Sequence, residues 1–175
     1  AGIVEAGRID LAASCTGLIN PKQRLSVGDK LAAGDAIVLL ASSGIHANGL
    51  SLARKLIERL PQGYLTPIDQ SGTRFGDALL APTVLYSPVT EALWQAGITP
   101  HYAANITGHG WRKLLRHPKA LTYRVTEVPP VPKVLAFIAQ HAGHDAQEAY
   151  STFNMGAGFA IFVAAADAQR CVDVA

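Results

Sequence analysis

A short apolar run that ends in a glycine-containing loop places the strongest constraint on this sequence. Residues 36–41, AIVLLA, have the length and composition of a buried strand, and residues 42–49, SSGIHANG, follow at once. Apolar residues from Ala53 to Leu60 then recur at helical spacing, with charged residues between them. A buried strand, a flexible loop and an amphipathic helix in this order predict a globular domain built around a sheet.

A second unit of the same kind follows at residues 101–117, where a short strand leads into the loop Thr107-Gly108-His109-Gly110 and a helix from 111 to 117. The regular β–α–β alternation of a doubly wound sheet is absent. The sequence therefore predicts an α+β fold, with helices packed on a mixed sheet. Further strands are predicted at 8–19, 120–128 and 159–163, and further helices at 76–80, 84–95, 145–153, after Pro132 and from Asp167.

Length and composition predict one compact domain over residues 1–175, with a leading strand within about residues 1–20. Apolar residues make up 49% of the chain, enough for a full core. The longest apolar runs are much shorter than the roughly 20 residues that cross a bilayer, so we expect no membrane association. The first residues carry neither an initiator Met nor a signal sequence, and we expect the chain to begin inside a longer, cytoplasmic protein.

Charge and cysteine content exclude several classes of function. The net charge of +2 is spread along the chain, and the basic cluster at 112–119 lacks the interleaved aromatic residues of a nucleic-acid surface. Cys15 and Cys171 lie near opposite ends without a CxxC spacing, and no His, Cys, Asp and Glu cluster has metal-ligand spacing. We therefore expect no metal site and no nucleic-acid partner.

The loop at residues 42–49 is the first candidate site. Free backbone amides at the start of the following helix favour a phosphate group, and Gly44 and Gly49 permit a close approach of the backbone. The hydroxyl groups of Ser42 and Ser43 and the amide of Asn48 can add hydrogen bonds, and His46 can transfer a proton near neutral pH. An ordinary turn explains the pattern equally well, with Asn48 or Ser51 as helix cap and His46 as a solvated loop residue.

The loop at residues 107–110 is the second candidate. Arg112 and Lys113 follow in the first helical turn, where cations oppose the helix dipole and are easier to explain beside an anion. His109 is a candidate ligand contact, although a surface or capping histidine is the simpler interpretation. Residues 154–158, NMGAG, indicate a turn before the last strand, and Met155 is typical of a core.

Four segments together resemble the AIR synthase family in order and spacing, and the match extends over nearly the whole chain. The wider superfamily includes FGAM synthetase, selenophosphate synthetase and thiamine-monophosphate kinase. Residues 10–12 also resemble the strand that leads into the family's C-terminal domain. The four segments are ASSGIHANG at 41–49, ALLAPT at 78–83, ITGHG at 106–110 and FNMG at 153–156.

The resemblance implies a three-layer α/β/α arrangement and a site in a cleft between this domain and an N-terminal ATP-binding domain, which is absent here. That domain would hold ATP and Mg²⁺ and form much of a homodimer. The implied reaction closes the imidazole ring of AIR from FGAM in purine biosynthesis, with a phosphorylated small molecule as substrate. The isolated domain is then expected to be inactive. His46 is the implied proton-transfer residue, and the implied substrate or phosphate contacts are Ser42, Ser43, Gly44, Asn48, Gly49, Thr107, Gly108, His109 and Gly110.

Two positions depart from the family pattern. His109 replaces a glycine of the usual ITGGG loop, and Asn105 stands where a histidine is common. An AIR synthase-related paralogue, acting as a synthetase or kinase on another substrate, is therefore an alternative. A ligand-binding domain without catalysis is a further alternative.

Overall fold

The computed structural model describes residues 7, 9 and 11–175. Its sheet has three strands, β1 (Ala36–Ala41), β2 (Tyr102–Asn105) and β3 (Ala157–Val163), in the order β1-β3-β2. β3 lies in the centre because almost all of its residues are apolar and buried, which suits a strand covered on both faces. Both pairings are antiparallel and place Val38 and Ala104 opposite Ile161 and Ala160.

The two faces of the sheet have different covers. Val38 and Leu40 point to the face that packs on α3 (Ser87–Gln95) and α6 (Ala168–Val174). Ile37, Leu39 and Phe162 point to the other face, which contacts a 3-10 helix at Gly110–Arg116 and an extended segment at 120–127. This division follows from the two-residue period of strand side chains.

A second core lies among the helices beside the sheet. It joins α1 (Leu50–Ile57), α2 (Phe75–Leu79), α4 (Lys133–Ala142) and α5 (Ala146–Thr152) around fully buried Ile45, Phe75 and Phe153. Ile45 belongs to this helical core, whereas the preceding β1 belongs to the sheet. The loop at 42–49 therefore crosses the junction between the two cores.

The α+β class and most predicted elements are confirmed. Two differences concern the sheet and the second loop: the described strands pair only antiparallel, where a mixed sheet was predicted, and the helix after residue 110 is a 3-10 helix. A 3-10 helix has poorer hydrogen-bond geometry than an α-helix. Arg112 and Lys113 therefore oppose a weaker helix dipole, and their positions give less indication of a nearby anion.

The predicted strand at 120–128 is wrong. Its alternating pattern is real, since Leu121, Tyr123 and Val125 are half-buried and the residues between them are exposed. These side chains pack against the sheet face that contains Phe162. The segment nevertheless pairs with no neighbouring strand among the described residues. The sequence periodicity therefore predicted the side-chain directions correctly, but it did not show whether the backbone pairs with another strand.

The predicted half-buried strand at 8–19 is not found in the part that the structure describes. Residues 11–19 form no strand and are exposed, with Leu11 and Leu18 each 90% accessible. A strand pattern produces a strand only where a neighbour supplies hydrogen bonds and an apolar surface. Residues 1–6, Arg8 and Asp10, which belong to the predicted leading strand, lie outside the described residues.

Candidate functional site

The loop at 42–49 leads from β1 into α1 and exposes the start of that helix. Gly49 is the residue before the helix, with a φ of 81° and no side-chain cap. A Cβ at Gly49 would lie 2.5 Å from the Phe153 ring, so both the backbone angle and the packing require glycine. Neither Asn48 nor Ser51 caps α1, so the first amides of the helix have no side-chain acceptor from this loop.

His46 is buried in the loop and is not a solvated surface residue. Only 8% of the residue is accessible, and its φ is 56°. The Ser43 amide donates a hydrogen bond to His46 Nε2 over 3.1 Å, which places the ring proton on Nδ1. Burial lowers the pKa of the imidazole, so His46 is neutral at pH 7.

This burial has a consequence for stability. In the unfolded chain His46 takes up a proton near its ordinary pKa of 6.5, whereas burial disfavours the protonated form in the folded chain, so protonation stabilises the unfolded state and the free energy of unfolding decreases as the pH falls below that value. We expect the free energy of unfolding to fall more steeply in wild type than in His46→Gln between about pH 7.5 and about pH 5.5. Urea titrations at each pH measure this, and parallel curves would contradict the assignment.

Asn48 has a side-chain amide that lacks partners. Both its Oδ1 and its Nδ2 are shielded from solvent, and neither forms a hydrogen bond within the described residues. An unpaired buried polar group costs about 1–3 kcal/mol. Asn48 does not cap α1, so helix capping does not explain why an asparagine side chain is buried at this position. A ligand or a neighbouring domain that supplies a donor and an acceptor would satisfy this amide.

Asn154 lies shortly before β3 in the chain and connects the loop at 42–49 to the start of that strand. Its side chain is completely buried. Asn154 Oδ1 accepts from Ser42 Oγ at 2.8 Å and from the Gly156 amide at 3.0 Å, and Nδ2 donates to the Gly44 carbonyl at 2.9 Å. The amide thus fixes the first half of the loop through both of its ends.

The second loop reaches the same residue by a different route. Trp111, which directly follows residues 107–110, donates from Nε1 to the Asn154 carbonyl over 2.6 Å. Gly110 has a φ of 53°, and a Cβ there would lie 2.6 Å from the Phe153 carbonyl oxygen. A Cβ at Gly108 would meet nothing within 4 Å. The loop is therefore packed tightly at Gly110 and open at Gly108.

The predicted site residues are only partly brought together. Ser42, Ser43, Gly44 and His46 lie in one hydrogen-bonded loop with Asn48 and Gly49 beside them. The Ser43 hydroxyl also donates to the Pro82 carbonyl at 2.6 Å. No side-chain hydrogen bond joins residues 107–110 to residues 42–49 in the described part of the chain. His109 is exposed and has a φ of 74°, which favours glycine.

Tyr86 and Asn154 contact the chain around the loop at 42–49 but were not among the predicted site residues, although Asn154 lies in the FNMG segment of the family resemblance. The Tyr86 hydroxyl donates to the Ala41 carbonyl at 2.8 Å, its ring stacks on Phe159, and burial raises its pKa to about 12. The Tyr86 ring also lies 6.3 Å from that of His46. Asn154 lies 110 positions from Gly44 in the chain, so no local spacing could have linked the two.

Two further observations on the described residues concern metal ligands and membrane spans. No three His, Cys, Asp or Glu side chains among them come together as a metal site requires. None of the helices found between residues 11 and 175 has both the length and the hydrophobicity of a membrane span.

Comparison with known proteins gives a consistent result. Residues 32–175 match the family described as AIR synthase related protein, C-terminal domain. The chain is 36% and 37% identical to the phosphoribosylformylglycinamidine cyclo-ligases of Methanothermobacter thermautotrophicus and Methanococcus maripaludis, over 95% of its length. It is 32% identical to that of Agathobacter rectalis over 98% of its length.

The matches also show how much of those relatives the chain represents. It covers 49%, 47% and 51% of the three relatives, so it spans about half of their length. The expected resemblance is confirmed across nearly the whole sequence, including the loops at 42–49 and 107–110. This chain belongs to the family of C-terminal domains of AIR synthase related proteins.

Proposed function

We propose that this chain is the substrate-side domain of a longer cyclo-ligase that converts FGAM to AIR, in purine biosynthesis in the cytoplasm. The relatives of this name match it over 95% or more of its length. The remaining half would be an N-terminal domain that binds ATP and Mg²⁺, and the full protein would be a homodimer. The isolated domain should then bind a phosphorylated substrate without completing the reaction.

The unpaired amide of Asn48 is the observation that carries this proposal. It lies two residues before the first residue of α1, which has no side-chain cap, and two residues after the neutral imidazole of His46. Free backbone amides at a helix start bind phosphate, and a buried amide can hold a ribose or amide group of the same substrate. These three features in one loop fit a ligand that contains an anion and neutral polar groups.

The proposed chemistry divides between the two halves. Bound Mg-ATP would supply the phosphoryl group that converts the formyl oxygen into a leaving group, so that a substrate nitrogen bonds to the formyl carbon and phosphate departs. In this chain, residues 42–49 would hold the substrate in place, and His46 would handle the proton released as the ring closes. Because Nε2 accepts a hydrogen bond from the Ser43 amide, proton uptake requires that bond to open when substrate binds.

A single-turnover assay on the longer parent protein tests this function. With ATP and FGAM supplied, we expect His46→Ala and His46→Gln to form AIR about 100-fold to 10,000-fold more slowly than wild type. The Gln variant is the matched control, because its amide can still accept from the Ser43 N–H while it cannot transfer a proton. Equal loss in both variants identifies proton transfer, whereas recovery in Gln would reduce His46 to a structural role.

A related synthetase or kinase with another substrate is the second candidate. The exposed His109 adds an imidazole to the second loop, at a backbone angle that favours glycine. A residue that accepts this unfavourable angle can mark an altered ligand. ATP binding by the parent protein without turnover of FGAM, in wild type, would favour this candidate.

A further inference from the structure

Among the described residues, one edge of the sheet has no neighbouring strand, and the candidate site does not use this edge. β1 is the first strand in the order β1-β3-β2 and pairs with β3 alone among the described residues. In an antiparallel pair, alternate residues direct their backbone N–H and C=O groups away from the partner. About half of the six residues of β1 therefore present hydrogen-bonding groups to the outer side.

An extended segment with free backbone groups lies near this edge. No backbone amide or carbonyl of residues 120–127 forms a hydrogen bond with another described residue. The side chains of Leu121, Tyr123 and Val125 hold the segment against the sheet, as Tyr123 shows by its edge-on contact with Phe162 at 5.9 Å between ring centroids. The segment is thus held by its side chains, while its backbone forms no hydrogen bond to the part of the chain that the structure describes.

A groove of about 680 Å³ separates these two stretches of backbone. Residues 31–37 and Leu39 line one side, residues 120–127 line the other, and Phe162 contributes to the apolar surface between them. We call it the β1 groove. None of the candidate site residues at 42–49 or 107–110 lines it, so it is separate from the proposed substrate site.

We propose that the β1 groove receives an extended segment of the parent polypeptide from outside these 175 residues, which pairs through its backbone with β1 and with residues 120–127. This proposal rests on the proposed function, under which the chain is about half of a longer protein. A strand fits better than a helix, because both walls offer unpaired backbone groups and a helix has none free along its length. Covalent connection to the same chain favours this occupant over a second copy through its high effective concentration.

Hydrogen–deuterium exchange on the full parent protein and on the 175-residue chain provides the first test. We expect about half of the amides in residues 120–127, and the outward amides of Ala36–Ala41, to exchange about 100-fold more slowly in the parent. α4 (Lys133–Ala142) serves as the internal reference, since its amides are already hydrogen-bonded in the chain alone. Equal exchange of the groove amides in both proteins would overturn the proposal.

Photo-crosslinking identifies the occupant. Thr122 is exposed and lines the groove, so Thr122→benzoylphenylalanine places a reactive group there in the parent protein. Mass spectrometry on a mixture of isotope-labelled and unlabelled copies should find cross-links to a segment beyond residues 1–175 of the same molecule. Cross-links to residues 1–20 or to a second copy would overturn the assignment, as would their complete absence.

The same preparation separates this proposal from the proposed function. If AIR is formed while the groove amides exchange freely, the groove proposal fails and the function stands. If the amides are protected while FGAM is not converted, the groove proposal stands and the reaction is a different one. Both results are obtained without a variant in the loop at 42–49.

Discussion

Replacing Asn154 by leucine should destabilise the 175-residue chain by about 3–5 kcal/mol, among the largest effects expected of a single substitution. Leucine has a similar volume but removes the acceptor for Ser42 Oγ and the Gly156 amide and the donor for the Gly44 carbonyl. These three groups would then lack a hydrogen-bond partner, and water could not replace it because the Asn154 side chain is completely buried. Urea unfolding followed by circular dichroism measures the change.

Asn105 offers a matched control because it is the same residue type in an exposed position at the end of β2. Asn105→Leu should change stability by no more than about 0.5 kcal/mol. Asn154→Asp is informative in another way, since it keeps an acceptor but places a carboxylate oxygen against the Gly44 carbonyl. Wild-type stability in both Asn154 variants would show that the loop does not depend on this amide.

Replacing Gly110 by alanine should cost about 3 kcal/mol or more, because backbone strain and steric overlap add. Its φ of 53° is unfavourable for alanine, and the added methyl would overlap the Tyr150 carbonyl oxygen and lie 2.6 Å from that of Phe153. Neither of these backbone oxygens can rotate away as a side chain would. The midpoint of thermal unfolding should fall accordingly.

The control for this variant lies two residues earlier in the same loop. Gly108→Ala adds the same methyl where no atom lies within 4 Å, so its effect should stay within about 1 kcal/mol. If the two variants lose a comparable amount of stability, the close packing around Gly110 is not the cause of the loss. A difference of several kilocalories per mole would confirm that Gly110 fixes the loop against α5.

The candidate site shows where sequence reasoning succeeds and where it stops. The sequence correctly predicted that residues 42–49 form the connection between a buried strand and an amphipathic helix, since both neighbours have a clear local period. It left His46 open between a solvated residue and a ligand contact. The structure shows that His46 is not a solvated residue, because its ring is buried near residues that are distant in the chain, including Tyr86.

The strands show that a strand-like sequence pattern does not always produce a paired strand. The strand predicted at 159–163 is confirmed within β3, and the structure places β3 in the centre of the sheet. Residues 120–128 have an equally strand-like pattern, yet they remain unpaired among the described residues. Periodicity reports which side chains face a surface, whereas a ladder needs a second backbone at the correct distance.

The sequence by itself determined the α+β class, the approximate positions of the main helices and the family, because these depend on local periods, turn residues and motifs that are contiguous in the chain. Only the tertiary structure decided that Asn154 holds the loop at 42–49, that Asn48 lacks a partner and that β1 faces an open groove. Each of these depends on contacts, or on their absence, between described residues far apart in sequence. Such contacts are set by the packing of whole elements, which no local pattern specifies.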